Sequence, residues 1–374
     1  MRGALTQGDI ASWIVAGSYT TRAPARHRYD IGLSYATQHY EGGNPAALRG
    51  VTEGSRNAGA MHGFDTFAIT PAISLTYGGR YAHYDYLTNR GLISPRAALT
   101  LIPADHFRIN ALVSSRAVAP GAEEFLPPTD SGIWLPPQRT FSALGSDRTL
   151  HAERTTHVEV ELERDFAAGP TLSFRAFRQH SEDQLVTMFG VEVPGGPPSE
   201  LGHYFVGNSG DMDAAGWSAG LRAALMQRVH ASLQYSVARA QWNPGSDLAY
   251  MFMVAPSTIR LQSERIHDLS TAVETEVHET ATRVLVLYRV SNGFARSSGA
   301  SIPGTAGERP ALDSRFDVQV RQSLPFMNFS TARWEMLLAV HNFFREAAAD
   351  QSLYDELLVV HPPKRVVGGL TLRF

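Results

Sequence analysis

The chain has 374 residues, with 33 Lys plus Arg against 36 Asp plus Glu and a net charge of -3, a balance that gives no case for nucleic-acid binding. It has no cysteine, which rules out disulfides and thiolate metal sites. No apolar run approaches the ~18 residues of a transmembrane helix, and the opening MRGALTQGDIASW lacks the sustained apolar stretch of a signal peptide.

A soluble chain fits those bulk features. So does a transmembrane β-barrel, which shows only half of its strand residues to lipid. Helical periodicity is scarce, and short alternating runs dominate. The first strand covers roughly 10–21 and is followed by a strand and a longer connection, 41–56. The next connections are TPA (70–72), TNRG (88–91), PAD (103–105) and the long 118–153. Val158, Val160 and Leu162 then alternate with His157, Glu159, Glu161 and Glu163. A short AAG (167–169) and a long 183–210 come next. Trp217, Ala219, Leu221, Ala223 and Leu225 alternate with Ser218, Gly220, Arg222 and Ala224. After QR (227–228), Val229, Ala231, Leu233, Tyr235 and Val237 alternate with His230, Ser232, Gln234 and Ser236. The segment 243–264 is long, HET (278–280) is short and 292–311 is long. Phe316, Val318 and Val320 oppose Asp317, Gln319 and Arg321, and PFMNFST (325–331) closes that strand. Trp334, Met336, Leu338 and Val340 share a parity opposite Arg333, Glu335 and His341, before the long 342–363. The last run puts Val366, Leu370, Leu372 and Phe374 on one parity and Arg365, Thr371 and Arg373 on the other.

About 15 strands follow from these runs. The connections alternate long and short, with TNRG the one weak member. Outer-membrane barrels have short periplasmic turns and long extracellular loops, whereas a soluble sandwich has no reason to gather its long loops at one end. If Phe374 lies at the periplasmic rim, the first strand starts outside and runs inward. An odd count starting outside suggests a chain that begins in the middle of a barrel. Tyr77, Tyr81, Trp217, Tyr235, Tyr288 and Trp334 fall on outward parities, as an interfacial girdle requires.

Candidate chemistry is sparse. GWSAG (216–220) matches the G-x-S-x-G nucleophile elbow, but that motif needs a strand, a sharp turn and a helix, and Ser218 sits inside an alternating strand. It reads as a chance match. The 14 histidines are scattered, with His203, His230, His267, His278, His341 and His361 isolated and no H-E-x-x-H. Glu159, Glu161 and Glu163 share one strand face beside His157, which suits a water-facing interior better than paired catalytic acids. The Pro-rich, aromatic stretch 122–140 reads as a packed extracellular loop or a ligand contact. No cofactor or metal site is expected, and no enzyme activity.

Several stretches resemble the TonB-dependent receptors of the bacterial outer membrane. GGRYAHYDYLTNRGLISPRAAL (78–99) is similar to a strand–loop–strand signature of that family, through Gly79, Arg80, Tyr81, Asp85, Ser94, Pro95 and Arg96. SSRAVAPGAEEFLPP (114–128) and ERTTHVEVELERDF (153–166) resemble the strands that follow. YFVGNSGDMDAAGW (204–217) resembles an N-x-G…G stretch through Asn208, Gly210 and Gly216, and LAVHNFF (338–344) a penultimate strand. GGLTLRF closes the chain like the terminal aromatic strand read by the barrel-assembly machinery, here Val366, Gly368, Leu370, Leu372 and Phe374.

The resemblance implies an antiparallel barrel over 1–374 that provides about 15 strands of a barrel of about 22. Counted back from the last, the first strand is the eighth, which runs inward. The signal peptide, TonB-contacting box and plug of the family have no counterpart in the sequence. The implied activity is energised uptake of a scarce ligand at the outer membrane, with lipid and lipopolysaccharide as surroundings and TonB reached only through a plug. Arg222, Gln234, Glu274, Arg283 and Arg321 are then expected to line the lumen. The ligand is not legible. The chain is expected to be inactive alone, because an open barrel leaves two unpaired edges in lipid. The alternatives are a small unplugged passive barrel and a soluble all-β binding protein.

Overall fold

The computed structural model describes residues 2–6, 9–22, 25–43, 54–125, 139–144, 150–167, 169–191, 202–243, 245, 248–260, 262–295, 312–324, 333–344 and 354–373. The first strands are β1 (Arg2–Thr6), β2 (Ile10–Thr20), β3 (His27–Tyr40), β4 (Ser55–Thr70), β5 (Ile73–Tyr84), β6 (Gly91–Ala104) and β7 (Phe107–Val118). Next come β8 (Thr140–Ala143), β9 (Glu153–Asp165), β10 (Thr171–Glu182), β11 (Leu185–Phe189), β12 (His203–Asn208), β13 (Asp211–Met226) and β14 (Val229–Asn243). A short helix α1 (Leu248–Val254) precedes β15 (Glu264–Val277), β16 (Thr282–Ser291), β17 (Asp313–Ser323), β18 (Arg333–His341), β19 (Val359–Val360) and β20 (Arg365–Arg373).

Sixteen of these strands form one sheet in chain order, from β1 to β20, and β8, β11, β12 and β19 form a second sheet. Each neighbour in the large sheet is antiparallel, as in β13 and β14, where Trp217 faces Val237 and Ser218 faces Ser236. The expected strands from residue 10 onward are all present. Within the large sheet, the strand that alternation did not reveal is β1, whose five residues RGALT are too few to show a period. With β1 the large sheet has sixteen strands among the described residues, and Arg2 at the start of β1 lies opposite Ala16, in the middle of β2. No ladder joins β1 to β20 among the described residues.

The two faces follow from the alternation. The outward rows are apolar and solvent-accessible at Ile31, Leu33, Val158, Val160, Phe174, Trp217, Leu221, Tyr235, Tyr288 and Leu338. The opposite parity is the inner face. Near the long-loop end its residues are small: Ala36, Ala58, Ala82, Ala214, Ala238 and Ala240 are all buried. Strands such as β4, with 16 residues, are longer than the 9–11 residues that span a bilayer. The surplus length at the long-loop end gives the second sheet its seat.

That second sheet has the order β19-β11-β12-β8. β11 pairs antiparallel with β12, while β19 and β8 join parallel at the edges. All four strands come from the long connections. β11 and β12 are buried along their whole length, one side on the sheet and one under other loops. A strand buried on both faces reads as a continuous apolar run rather than an alternation. LVTMF and HYFVGN have that character. Phe125, Phe141, Phe189, Tyr204 and Phe344 fill the space above the alanines, and α1 adds Met251 beside Met188 and Phe205. The small sheet therefore forms a cap over one end of the inner face.

The GWSAG stretch is a strand throughout. Gly216 is needed for close strand approach: a Cβ there would sit 2.3 Å from the Val237 carbonyl oxygen. Gly216→Ala is expected to cost about 1–3 kcal/mol through forced displacement of β14, read as a lower denaturation midpoint. An unchanged midpoint would mean the strands relax freely there.

Candidate functional site

Below the cap the inner face carries a charged network held by strand register. Arg108 on β7 faces Glu163 on β9. Its Nε donates to Glu163 Oε2 at 3.0 Å and its guanidinium also meets Asp165 at 3.0 Å. Arg222 on β13 donates to the other oxygen of Glu163. Asp165 accepts from the Thr171 hydroxyl at 2.7 Å. One step up, Glu159 meets His157 Nε2 at 2.9 Å and accepts from Arg175 Nη1 at 3.4 Å. Arg175 Nε donates to Ser218 Oγ at 3.1 Å. Ser218 is thus a network member inside a strand, without the turn a nucleophile elbow requires.

A second polar region lies near the short turns of β14–β16. Arg228, His230, Glu274, Glu276, His278 and Arg283 line a cleft of about 220 Å³. Arg283 Nε is 3.2 Å from Glu274 Oε1, and Arg228 Nη1 donates to Glu279 at 2.7 Å. Among the described residues no group of three His, Asp or Glu is placed to hold a metal ion.

The cap is tied to the sheet by buried cations. Arg56 at the start of β4 is 2% exposed; its Nη2 donates to the Phe141 carbonyl at 2.6 Å and its guanidinium lies 3.9 Å from the Phe141 ring centre. Arg139 Nε donates to Glu124 Oε1 at 2.6 Å, with its guanidinium over the Phe344 ring. Burial pushes the Glu124 carboxyl above the usual carboxylate range, against the pull of Arg139. Burial, with Glu123 and Glu124 nearby, holds the Tyr204 phenol well above its ordinary value.

The segment 354–360 acts as a strap. Asp355 accepts from Arg116 Nη2 on β7 at 2.5 Å. Glu356 accepts from Arg315 Nη1 on β17, and the Glu356 and Val359 carbonyls accept from the same guanidinium at 3.0 and 2.8 Å. Six strands lie between β7 and β17 in the sheet. Two adjacent carboxylates therefore bind strands far apart in sheet order, and the strap crosses the inner face. These charges suit non-covalent holding and gating.

Of the residues singled out from sequence, Arg222, Gln234, Glu274, Arg283 and Arg321 sit on strands at inner-face parity, each next in sequence to an outward residue, Leu221, Tyr235, Val273, Val284 and Val320. Arg222 joins the Glu163 network; Glu274 and Arg283 pair with each other; Arg321 faces Arg283 across the ladder. They form no single cluster. In β20, Val366 and Leu370 are exposed on the outward parity that Gly368 shares. Leu372 has its backbone opposite Trp334, its side chain is not among those described, and Phe374 lies outside the described residues. Most of the stretch 122–140 is also outside them, although Phe125 is buried in the cap. Sequence reasoning missed Arg56, Arg116, Arg315, Asp355 and Glu356. Apolar runs inside supposed loops were the one signal available.

The sequence matches the family described as TonB dependent receptor-like, beta-barrel, over residues 3–298. Among solved structures, the siderophore receptor PirA from Pseudomonas aeruginosa is 14% identical, with 98% of this chain and 57% of that chain covered and a TM-score of 0.45. The FrpB iron transporter from Neisseria meningitidis is 11% identical, with coverage of 89% and 51% and a TM-score of 0.46. The siderophore receptor PirA from Acinetobacter baumannii is 12% identical, with coverage of 96% and 54% and a TM-score of 0.43. The chain spans about half the length of these solved structures. No curated protein matches the sequence.

Proposed function

This chain belongs to the TonB-dependent receptor family of β-barrels, and from that premise we propose that it forms the wall and outer mouth of a receptor that takes up a scarce ligand with energy delivered through TonB. Its place is the bacterial outer membrane. The observation that carries the reading is a charged inner face lying beneath a cap of long loops, on a sheet whose other face is apolar. The cap and its strap would admit ligand from outside, and the Glu163 and Glu159 networks would hold a polar path below. Arg222, Gln234, Glu274, Arg283 and Arg321 would line that path. No covalent step is assigned to the chain.

The outward rows support the expected surroundings. At the long-loop end they carry Arg154, Arg178, Arg239 and Arg265, suited to the phosphates of lipopolysaccharide. The exposed apolar side of β20 is suited to the barrel-assembly machinery. TonB would act through a plug.

Deleting the gene in the bacterium that makes it is expected to abolish growth on one of a panel of limiting ferric chelates, cobalamin, glycans or peptides. Loss of TonB should reproduce that defect. Unchanged growth on the whole panel, with the protein present in the outer membrane, would overturn energised uptake. The second reading is the small unplugged barrel. Against it, β1 and β20 are the edges of the sheet and pair with no further strand among the described residues, which lipid penalises. The chain alone is therefore expected to misassemble when refolded with lipid. A heat-modifiable, protease-resistant monomer would favour the unplugged barrel instead.

A further inference from the structure

One outward row of the sheet breaks the apolar rule. Asp65 on β4 shares its parity with Met61, Phe67 and Ile69, yet it is an acid and only 8% exposed. An acid on a lipid-facing row is costly unless it is paired. Here it is paired from two neighbouring strands. Tyr29 on β3 and Tyr77 on β5 lie opposite it in register. Asp65 Oδ2 is 2.7 Å from His27 Nδ1 and accepts from the Tyr77 hydroxyl at 3.0 Å. The backbone N–H of Arg28 also faces the carboxylate. Oδ1 is buried and has no hydrogen-bond partner among the described residues.

Beside the carboxylate lies a group of rings in contact with one another and with a guanidinium. The Arg26 guanidinium lies 5.0 Å from the Phe67 ring centre. Phe67 stacks on His27 at 4.6 Å, and His27 stacks on Tyr29 at 6.2 Å. Arg26 immediately precedes β3, whose first residue is His27, at the end where β2 leads into β3. The group therefore lies where the apolar band meets the short-turn rim. Arg26, His27, Tyr29 and Tyr77 are all exposed to the outside.

We propose that Arg26 and His27, with Asp65 behind them, form a receptor for the phosphate of a phospholipid in the leaflet at the short-turn end. The inference rests on the outer-membrane reading above. Asp65 occupies the Nδ1 side of His27, which fixes the ring and leaves Nε2 as the free nitrogen. Arg26 supplies the second donor, held by its ring contact with Phe67 and by its own carbonyl, which accepts from the Ala68 N–H at 2.8 Å. Tyr29 and Tyr77 present amphipathic rings of the kind that settle at headgroup level. An anionic headgroup fits better than a cationic one, because the exposed polar groups are the guanidinium and imidazole while the carboxylate is shielded beneath them.

The test uses the protein purified from the outer membranes of its own bacterium in an uncharged detergent. Native mass spectrometry would compare retention of dioleoyl phosphatidylglycerol, dioleoylglycerol and inorganic phosphate. Retention of the phosphatidylglycerol alone is expected, about tenfold weaker in the R26Q/H27Q double variant and also reduced in D65N. Equal retention of dioleoylglycerol would overturn phosphate recognition. Equal binding of inorganic phosphate would overturn the lipid source. Retention unchanged in R26Q/H27Q would overturn the site. If the double variant fails to assemble, the single variant R26Q makes the same comparison, and unchanged retention in it would overturn the site. Recovery of the protein outside the membrane fraction would overturn the barrel reading itself, whereas a membrane protein without phosphate dependence would overturn only this site.

Discussion

Arg315→Ala is expected to open the strap over the mouth by about 3–5 kcal/mol, the cost of leaving one half of a buried ion pair without its partner. Arg315 is 3% exposed, and its guanidinium donates to the Glu356 carboxylate and to the Glu356 and Val359 carbonyls. It also lies 4.3 Å from the Phe294 ring centre. Alanine would leave a buried carboxylate and two carbonyls short of a donor. Glu356 Oε1 also accepts from the Phe344 N–H at 3.0 Å, so the disturbance would reach the aromatic stack of the cap. Hydrogen exchange over 354–360 and over β11 should accelerate by about a hundredfold or more, since each 1.4 kcal/mol is tenfold. Exchange in β13 and β14 should hardly change. The double variant Arg315→Met with Glu356→Leu removes both charges together and should recover most of the protection. If Arg315→Ala alone leaves the strap protected, the pair is not what holds it down.

Strand existence, the inward and outward parities and the one-sided distribution of long loops were legible in the sequence, because all three rest on a period of two. Val158, Val160 and Leu162 point out and Glu159, Glu161 and Glu163 point in, as their alternation requires. The N-x-G stretch also has a local cause: Asn208 Oδ1 accepts from the Gly210 N–H at 2.8 Å, and Gly210 turns the chain with a φ of +93°. The cap was not legible. LVTMF and HYFVGN are short, non-alternating runs inside a long connection, and they become strands only by pairing with each other and with segments far away in sequence. The strap was hidden for a similar reason. Asp355 and Glu356 look like ordinary loop acids until β7 and β17 bring Arg116 and Arg315 to them. Asp65 was invisible because parity alone marks it as an exception and says nothing of its partners.

Leu33→Arg is the substitution that separates a lipid-facing sheet from a sheet in water. Leu33 lies in the middle of β3, is 63% exposed, and shares its outward row with Ile31 and Tyr35. In water, an arginine at so exposed a position would be within about 0.5 kcal/mol of neutral. Near the middle of a bilayer the same change costs about 2–4 kcal/mol, falling toward the interfaces. The next residue, Ser34, points to the inner face, partly exposed between Ala16 and Ala60 of the neighbouring strands, where Ser34→Arg meets no hydrocarbon and makes a control of opposite parity. With both variants made in the native gene, Leu33→Arg should deplete the heat-modifiable form from the outer membrane, while Ser34→Arg should leave most of it in place. Depletion by Ser34→Arg alone would exchange the two faces. Full assembly of both would mean that Leu33 does not meet hydrocarbon. The size of the Leu33→Arg effect also measures how strictly the apolar rows are needed, which bears directly on Asp65: an arginine that β3 cannot tolerate at Leu33 shows why the acid on the neighbouring strand is enclosed by His27, Tyr29 and Tyr77.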